Sequence, residues 1–320
     1  MKQATIAMPI FNGAFSLPEV FRYLELEQNK DRVARMILIN DNSSDDSERS
    51  LDDYCNFASF NCLTIHRKEN QGLAQGYNQG IEMAVSPLVI TMHQEILFTD
   101  EDSFAKIMAP FDSDSANCAG YPKILHPSYI WNKCNFWQKA MLSLFVDKKI
   151  PMLSGKFDCF DVAVLRSIGI FRPEIFRTAG EDGDLRERMR RLNYTIFATG
   201  LEIKHMDNIE PNFGWKQYLK KECQIAEAQG VLLRLYGLNT VREFGEIFFR
   251  LILFFGLFIP IINIAFVILV VSFGYLYSAR AFNDSSSLNQ VFKLYIVNLV
   301  ILPASAVYNI GGYIKQRQSV

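Results

Sequence analysis

The chain has 320 residues, with 33 Lys and Arg against 34 Asp and Glu for a formal net charge of -1. That balance, with no basic stripe, excludes nucleic acid as the expected partner. The length allows one core of about 240 residues with a remainder, because single domains rarely grow far beyond about 250.

Met1 to Ile6 leads straight into a short apolar run and Pro9, without the longer apolar segment of a signal peptide, so this part of the chain is expected in the cytosol. Short β-branched runs then alternate with amphipathic stretches, the pattern of a parallel sheet covered by helices. Strands are expected at 4–9, 35–40, 62–66 and 88–92, and helices at 18–27, 46–57 and 73–84. A polar residue follows each strand: Asn12, Asp41, Asn70, and His93 with Glu95. Taken singly, each reads as a helix cap or a turn. Four in succession beyond the carboxyl ends of strands, where sheets of this kind bind ligands, read as a site. Six cysteines (Cys55, Cys62, Cys118, Cys134, Cys159 and Cys223) show no C-x-x-C spacing and are expected to be free thiols. Trp131, Trp137 and Trp215 are expected in the core rather than stacked on a ligand.

Residues 212–238 turn amphipathic, with lysines on one side and Tyr218, Leu219, Ile225, Leu232 and Leu233 available for an apolar face. Such a helix either lies against lipid headgroups or packs onto the preceding domain. Two uncharged stretches follow, at about 251–277 and 294–314, each long enough to cross a bilayer. Pro260 offers a point at which the first divides into an interfacial helix and a span. Lys216, Lys220, Lys221, Arg234, Arg242 and Arg250 precede the spans, and Lys315 and Arg317 follow them. The connection carries only Arg280 and Asp284, so both ends are expected on the cytoplasmic side.

Three segments of the first hundred residues carry a resemblance. Pro9-Ile10-Phe11-Asn12 looks like a P-x-[YF]-N opening, and Asn40-Asp41-Asn42-Ser43-Ser44-Asp45 like a D-D-x-S-x-D turn. Asn70-Gln71-Gly72, continuing to Asn78-Gln79-Gly80, is similar to an N-x-G-x-x-x-x-x-N-x-G helix entry. In this order and spacing they resemble the family-2 glycosyltransferases, which implies a GT-A fold: an α/β, Rossmann-like mixed sheet flanked by helices. The resemblance runs from Thr5 to about His205 and divides the chain into a catalytic domain, 1–240, and a membrane region, 241–320. Residues 1–100 would form the nucleotide-binding half, and 101–240 the acceptor half with its amphipathic helix.

The resemblance implies nucleotide-sugar contacts at Pro9, Phe11, Asn12, Asp41, Ser43, Asn70, Gly72 and Asn78. A carboxylate at the position of Asp41 accepts the N3–H of a pyrimidine, which favours a UDP or dTDP donor. Where the family usually has D-x-D after the fourth strand, this chain has His93-Gln94-Glu95. Imidazole and carboxylate ligands suit Mn2+ better than Mg2+; the other reading is that His93 only hydrogen-bonds the phosphates. His205 stands where family members place a histidine near the metal or diphosphate. Phe171-Arg172-Pro173-Glu174 and Gly180-Glu181-Asp182-Gly183-Asp184-Leu185-Arg186-Glu187-Arg188 look like F-x-x-E and G-E-D-x-D-L-x-x-R. An inverting transfer needs a carboxylate to take the acceptor hydroxyl proton, and Asp182 is the expected base with Glu181 as runner-up. Asp184 and Arg188 are expected to orient the loop. The simpler reading makes the three acids favourable charges at a helix N-terminus.

The function expected is transfer of a sugar to a polyprenyl-linked or other glycan acceptor in cell-surface polysaccharide or glycoconjugate assembly. The alternatives are a processive synthase, against which no Q-x-x-R-W motif is present, and a non-catalytic membrane scaffold.

Overall fold

The computed structural model describes residues 2–113, 117–176, 179–209, 212–237, 241–260, 263–272 and 287–315. The chain runs β1 (Ala4–Ile10), α1 (Leu17–Leu24), α2 (Glu27–Lys30), β2 (Val33–Asn40), α3 (Ser47–Phe57), β3 (Cys62–His66), α4 (Leu73–Glu82), β4 (Leu88–Met92) and β5 (Ile96–Phe98). It continues with α5 (Ser103–Ser113), β6 (Asn117–Leu125), α6 (Ser128–Trp131), α7 (Phe136–Leu142), β7 (Lys149–Pro151), β8 (Phe157–Asp161), α8 (Val162–Ile168), α9 (Glu181–Arg191) and β9 (Thr195–His205). The helices α10 (Trp215–Tyr236), α11 (Val241–Gly256), α12 (Asn263–Ser272) and α13 (Leu288–Lys315) follow. Two compact units result: Met1–Ser128 with Asp147–Asn208, and Tyr129–Val146 with Ile209–Val320. The amphipathic helix α10, expected with the catalytic domain, belongs to the second.

The first unit is built on one mixed sheet of order β3-β2-β1-β4-β8-β6-β9-β5, with β7 on β6. The expected parallel half is present: β1 pairs in parallel with β2 and β4, and β2 with β3. The antiparallel β8 then joins β4 to β6, and β6 pairs in parallel with β9. Every residue of β1 is buried, as a strand covered on both faces requires. Ile6, Met8 and Ile10 enter one hydrophobic cluster, with Leu17, Val20 and Leu24 of α1, while Ala7 enters the other, with Ala74, Tyr77 and Ile81 of α4. α4 approaches β1 closely because it has no side chain at Gly80. A Cβ there would lie 2.4 Å from that of Ala7.

One expectation for the cysteines is overturned. Cys55 and Cys62 form a disulfide across the turn from α3 to β3, with Cα atoms 5.2 Å apart; Cys118, Cys134, Cys159 and Cys223 are free and buried. The bonded pair stands seven positions apart in sequence. The helix-to-strand reversal brings them together, which a search for C-x-x-C does not see.

In the second unit α10 lies along α13, burying Tyr218, Glu222, Cys223, Ala226, Gly230 and Val231 and leaving Ile225 exposed. Its partner is therefore α13. Of the two readings left open for 251–277, the undivided helix is not formed: α11 ends at Gly256, a turn follows, and α12 begins at Asn263. Pro260 removes a helix hydrogen bond and disfavours helical backbone before it. Phe266 of α12 packs against Gly256 of α11. Residues 273–277, the connection with Arg280, and Arg317 lie outside the described residues. Among the described residues one helix, α13, is long and apolar enough to cross a membrane.

Replacing Gly80 by Ala tests the close packing of α4. The gain in helix propensity is about 1 kcal/mol, but a methyl group forced against a buried central strand costs more. A net loss of about 1–3 kcal/mol is expected, read as a lower urea midpoint with unchanged slope.

Candidate active site

The turns after β1 and β2 are fastened to each other. Asn12 Oδ1 accepts the Ser44 N–H at 2.8 Å, and the Asn12 N–H donates to Ser43 Oγ at 3.0 Å. Gly13 and Ala14 donate to Ser47 and Asp45, and Asn40 Oδ1 accepts the Ser43 N–H. Asn12 and Asn42 hold positive φ angles of 51° and 62°, a conformation asparagine tolerates better than most residues. The buried carboxylate of Asp41 accepts from Arg67 Nη1 at 2.9 Å and from the backbone N–H groups of Gln71 at 3.0 Å and Gly72 at 2.8 Å. Asn70 donates to the Asp41 carbonyl. Pro9 is buried beneath Gly76 of α4, and Phe11 is half exposed. The Gln94 side chain closes the rim by pairing with both backbone groups of Phe11, at 2.8 and 3.0 Å.

His93, Glu95 and His205 come together, each offering a ligand atom, all within 4.8 Å of one another. β5 pairs antiparallel with β9 in a register that sets Ile96 opposite His205, which is why residues so distant in sequence meet. His205 Nε2 lies 3.5 Å from Glu95 Oε2, while its Nδ1 is 3.0 Å from Asp207 Oδ1; His126 Nδ1 is 2.9 Å from the other oxygen of Asp207. Burial, more than any neighbour, pushes His93 well below the ordinary histidine value and His205 down to about 4. Burial opposes ionisation of Asp207, but the hydrogen bonds from His126 and His205 outweigh it and hold the carboxyl well below its ordinary value. A neutral His205 whose Nδ1–H is donated to Asp207 turns an unprotonated Nε2 toward a carboxylate. Two acceptors in that position are satisfied by a cation, and His93 Nδ1, buried without a hydrogen-bond partner, fits the same demand.

The acidic motif opens α9. Gly180 takes the left-handed conformation at the cap, with φ 94°, and Glu181, Asp182 and Asp184 occupy the first turn, where the helix dipole favours negative charge. Asp184 is fully buried between Arg172 and Arg188. Arg188 also donates to the carbonyls of Ile168, Gly169 and Ile170. Asn78 does not reach a strand-end turn: its amide pairs with the backbone of Phe171 at 2.8 and 3.0 Å, fixing the segment that leads to α9. Asp182 Oδ1 accepts the Gly183 N–H at 2.7 Å. The raised carboxyl in the motif is Glu181, pushed to about 7 by burial first and by the charge of Asp182 second. Like-charge repulsion from Asp182 is thus the smaller cause.

A model of glycosyl transferase family 2 matches residues 5–169, more than half of the chain. The chain belongs to this family. It is therefore a glycosyltransferase that uses a nucleotide-sugar donor. No curated protein sequence matches the chain. Among solved structures, the mannosyltransferase PcManGT from Pyrobaculum calidifontis, in complex with GDP-Man and Mn2+, matches with a TM-score of 0.58 at 14% identity, over 99% of this chain and 88% of that one. GalNAc-T7 with UDP, GalNAc and Mn2+ matches with a TM-score of 0.56 at 13% identity, over 72% of this chain and 48% of that one, so this chain spans about half of its length. Glucosyl-3-phosphoglycerate synthase from Mycobacterium tuberculosis, with Mn2+ and UDP-glucose, gives a TM-score of 0.50 at 12% identity over 75% of this chain and 81% of that one. At such identities the likeness shows the fold.

Four polar residues of this family-2 transferase were not singled out from sequence. Asp207, two residues after His205, and His126, just beyond β6, were within reach of a search for ligating types near the end of a strand. Arg67, next to His66 at the end of β3, is the partner that a buried Asp41 requires. Asp158 had no signal, because its burial comes from the pairing of β8 with the distant β4 and β6. It is fully buried, accepts the N–H groups of Ser154 and Gly155, leaves Oδ1 unpartnered, and is raised to about 7 by burial, with Asp182 adding to the shift.

Asp158 and Glu181 bind protons more tightly folded than unfolded, where their ordinary values are 3.8 and 4.5. The folded transferase therefore holds excess protons between about pH 4 and pH 7, and stability is lost as the pH rises through that window. Asp158→Asn and Glu181→Gln remove these titrations. Denaturant unfolding at pH 5 and pH 8 should show a smaller fall for the double variant than for the unsubstituted protein. Equal falls would mean that neither carboxyl is raised.

Proposed function

We propose that the protein is an inverting transferase that moves one sugar from a UDP- or dTDP-linked donor to a polyprenyl phosphate or polyprenyl-linked glycan at the cytoplasmic face of a membrane. The product would feed a cell-surface polysaccharide or glycoconjugate. The observation that carries this reading is the gathering, within one sheet-bearing unit, of the Asp41 turn, the His93, Glu95 and His205 cluster and the acidic start of α9. Asp41 Oδ2 accepts from Gly72 and keeps capacity for the N3–H of a uracil or thymine ring. Phe11, whose carbonyl neighbour Ile10 accepts the Asp41 N–H, offers an exposed aromatic face to the base.

His93, Glu95 and His205 would hold the divalent cation, and neutral imidazoles favour Mn2+ over Mg2+. The mannosyltransferase and GalNAc-T7 structures with Mn2+ support this choice. When bound, the ion offsets negative charge on the departing nucleoside diphosphate. Asp182 is the base that takes the proton of the acceptor hydroxyl as that oxygen attacks the anomeric carbon opposite the leaving group. Asp184, with Arg172 and Arg188, holds the helix start at which Asp182 stands. A lipid acceptor is supported by the second unit, Tyr129–Val146 with Ile209–Val320, which exposes Phe255, Phe258, Ile264, Val267 and Ile268. An apolar surface of that kind marks a membrane or partner face.

The decisive measurement is sugar transfer from a panel of nucleotide sugars, with Asp182→Asn compared to Glu181→Gln. Loss of about two to four orders of magnitude in turnover is expected for Asp182→Asn, with donor affinity unchanged, the mark of a contact made in the transition state. If that variant keeps more than about a tenth of the rate while Glu181→Gln abolishes it, the base is Glu181.

The metal assignment has its own test. Activity should vanish in chelator and return best with Mn2+. Asp207→Asn, which disturbs the hydrogen bond that orients His205, should weaken Mn2+ binding by about 10–100-fold in a calorimetric titration.

A further inference from the structure

α13 has 28 residues, about 42 Å at 1.5 Å per residue, more than the roughly 30 Å of a bilayer core. Its surroundings argue against crossing. α10 runs beside it in the same direction. Tyr218 hydrogen-bonds Asn298 at 3.2 Å, Arg234 sits over the Tyr313 ring at 5.4 Å, and Lys315 pairs with Glu227 at 3.0 Å. The two backbones touch at small residues: a Cβ on Gly230 would lie 2.1 Å from the Asn309 carbonyl oxygen, and one on Gly312 would lie 2.2 Å from that of Glu227. Over this length α10 carries Lys216, Lys220, Lys221, Glu222, Glu227 and Arg234. If α13 crossed the bilayer there, those charges would enter hydrocarbon with it, which membranes strongly resist.

The faces of α13 point the same way. Leu294, Asn298, Ile301, Ser305, Asn309 and Gly312 are buried, and this is the side that meets α10. Leu288, Phe292, Ile296, Val300, Val307 and Ile314 are exposed. Their spacings of four and seven place them on one stripe opposite the buried one. A spanning helix would meet lipid around most of its perimeter, whereas this one offers a single apolar stripe and turns a polar, small-residue stripe to a charged helix. We infer that α13 lies in the plane of the membrane with its apolar stripe sunk into one leaflet, and that α10 covers it from the water side. The occupant of the stripe is a lipid monolayer. The exposed apolar residues Phe249, Ile252, Phe255, Ile264, Val267 and Ile268 of α11 and α12 extend the same kind of surface. This inference rests on the membrane attachment within the function proposed above.

Single cysteines at Ser287 and Lys315, with Gln3→Cys as the marker of the catalytic side, can be labelled with a membrane-impermeant maleimide on the full chain in sealed vesicles. The native cysteines are buried or bridged, so the introduced thiols are read. Both helix ends should label from the same side as Gln3→Cys. A spin label at Val300→Cys should sit about 5–10 Å below the headgroups, where a span would carry it toward the bilayer centre, about 15 Å deep. Labels on opposite sides, or a central spin label, overturn the in-plane placement while leaving membrane attachment intact. Failure to float with lipid vesicles, or a soluble dimer that covers the stripe with a second copy, overturns both. Sugar transfer, measured separately, is unaffected by either outcome.

Discussion

A carboxylate taken out of water must be paired by the protein itself, and the strand-end turns of the first half of the sheet are organised by how Asp41 meets that demand. The three donors come from the end of β3, as Arg67, and from the entry to α4, as the N–H groups of Gln71 and Gly72. One buried charge thus draws together the ends of two strands and the start of a helix. The turn after β1 is bound in by backbone bonds to Ser43, Ser47 and Asp45. Asp184 does the equivalent work for the acidic helix by taking Arg172 and Arg188. Removing either carboxylate would strand buried guanidinium groups and leave backbone donors unpaired, so such losses reach well beyond one contact.

Burial also decides the charge states. It keeps His93 and His205 neutral, with lone pairs available, and brings Asp158 and Glu181 to the edge of ionisation near neutrality. The same low dielectric therefore leaves neutral imidazoles at one place and weak acids at another. Asp207 escapes because two histidines donate to it.

The parallel half of the sheet was legible because each strand there is a short apolar run bounded by turn residues. The strands at 62–66 and 88–92 form at those bounds. The helix expected at 18–27 stops at Leu24, where the chain turns before a separate short helix. The second half was legible only as motifs. The pairings of β8 with β4 and of β6 with β9 join segments about seventy residues apart, and no local periodicity encodes them. Asp158 stayed hidden for that reason, and His126 because its partner Asp207 is reached only through β9. The disulfide likewise depends on a reversal of the chain, and the partner of α10 on a helix that begins more than fifty residues later.

α4 has a double attachment. Its entry, Gly72, is held by Asp41, and less than two turns along Asn78 grips the backbone of Phe171, on the way to the acidic helix. The two grips lie on one short, well-packed rod, so tightening at one end changes the freedom of the other. Thermodynamic linkage then requires reciprocity. If a ligand at the Asp41 turn steadies the Phe171 segment, whatever settles against that segment must steady the Asp41 turn by the same factor, and the two bindings would be cooperative without touching.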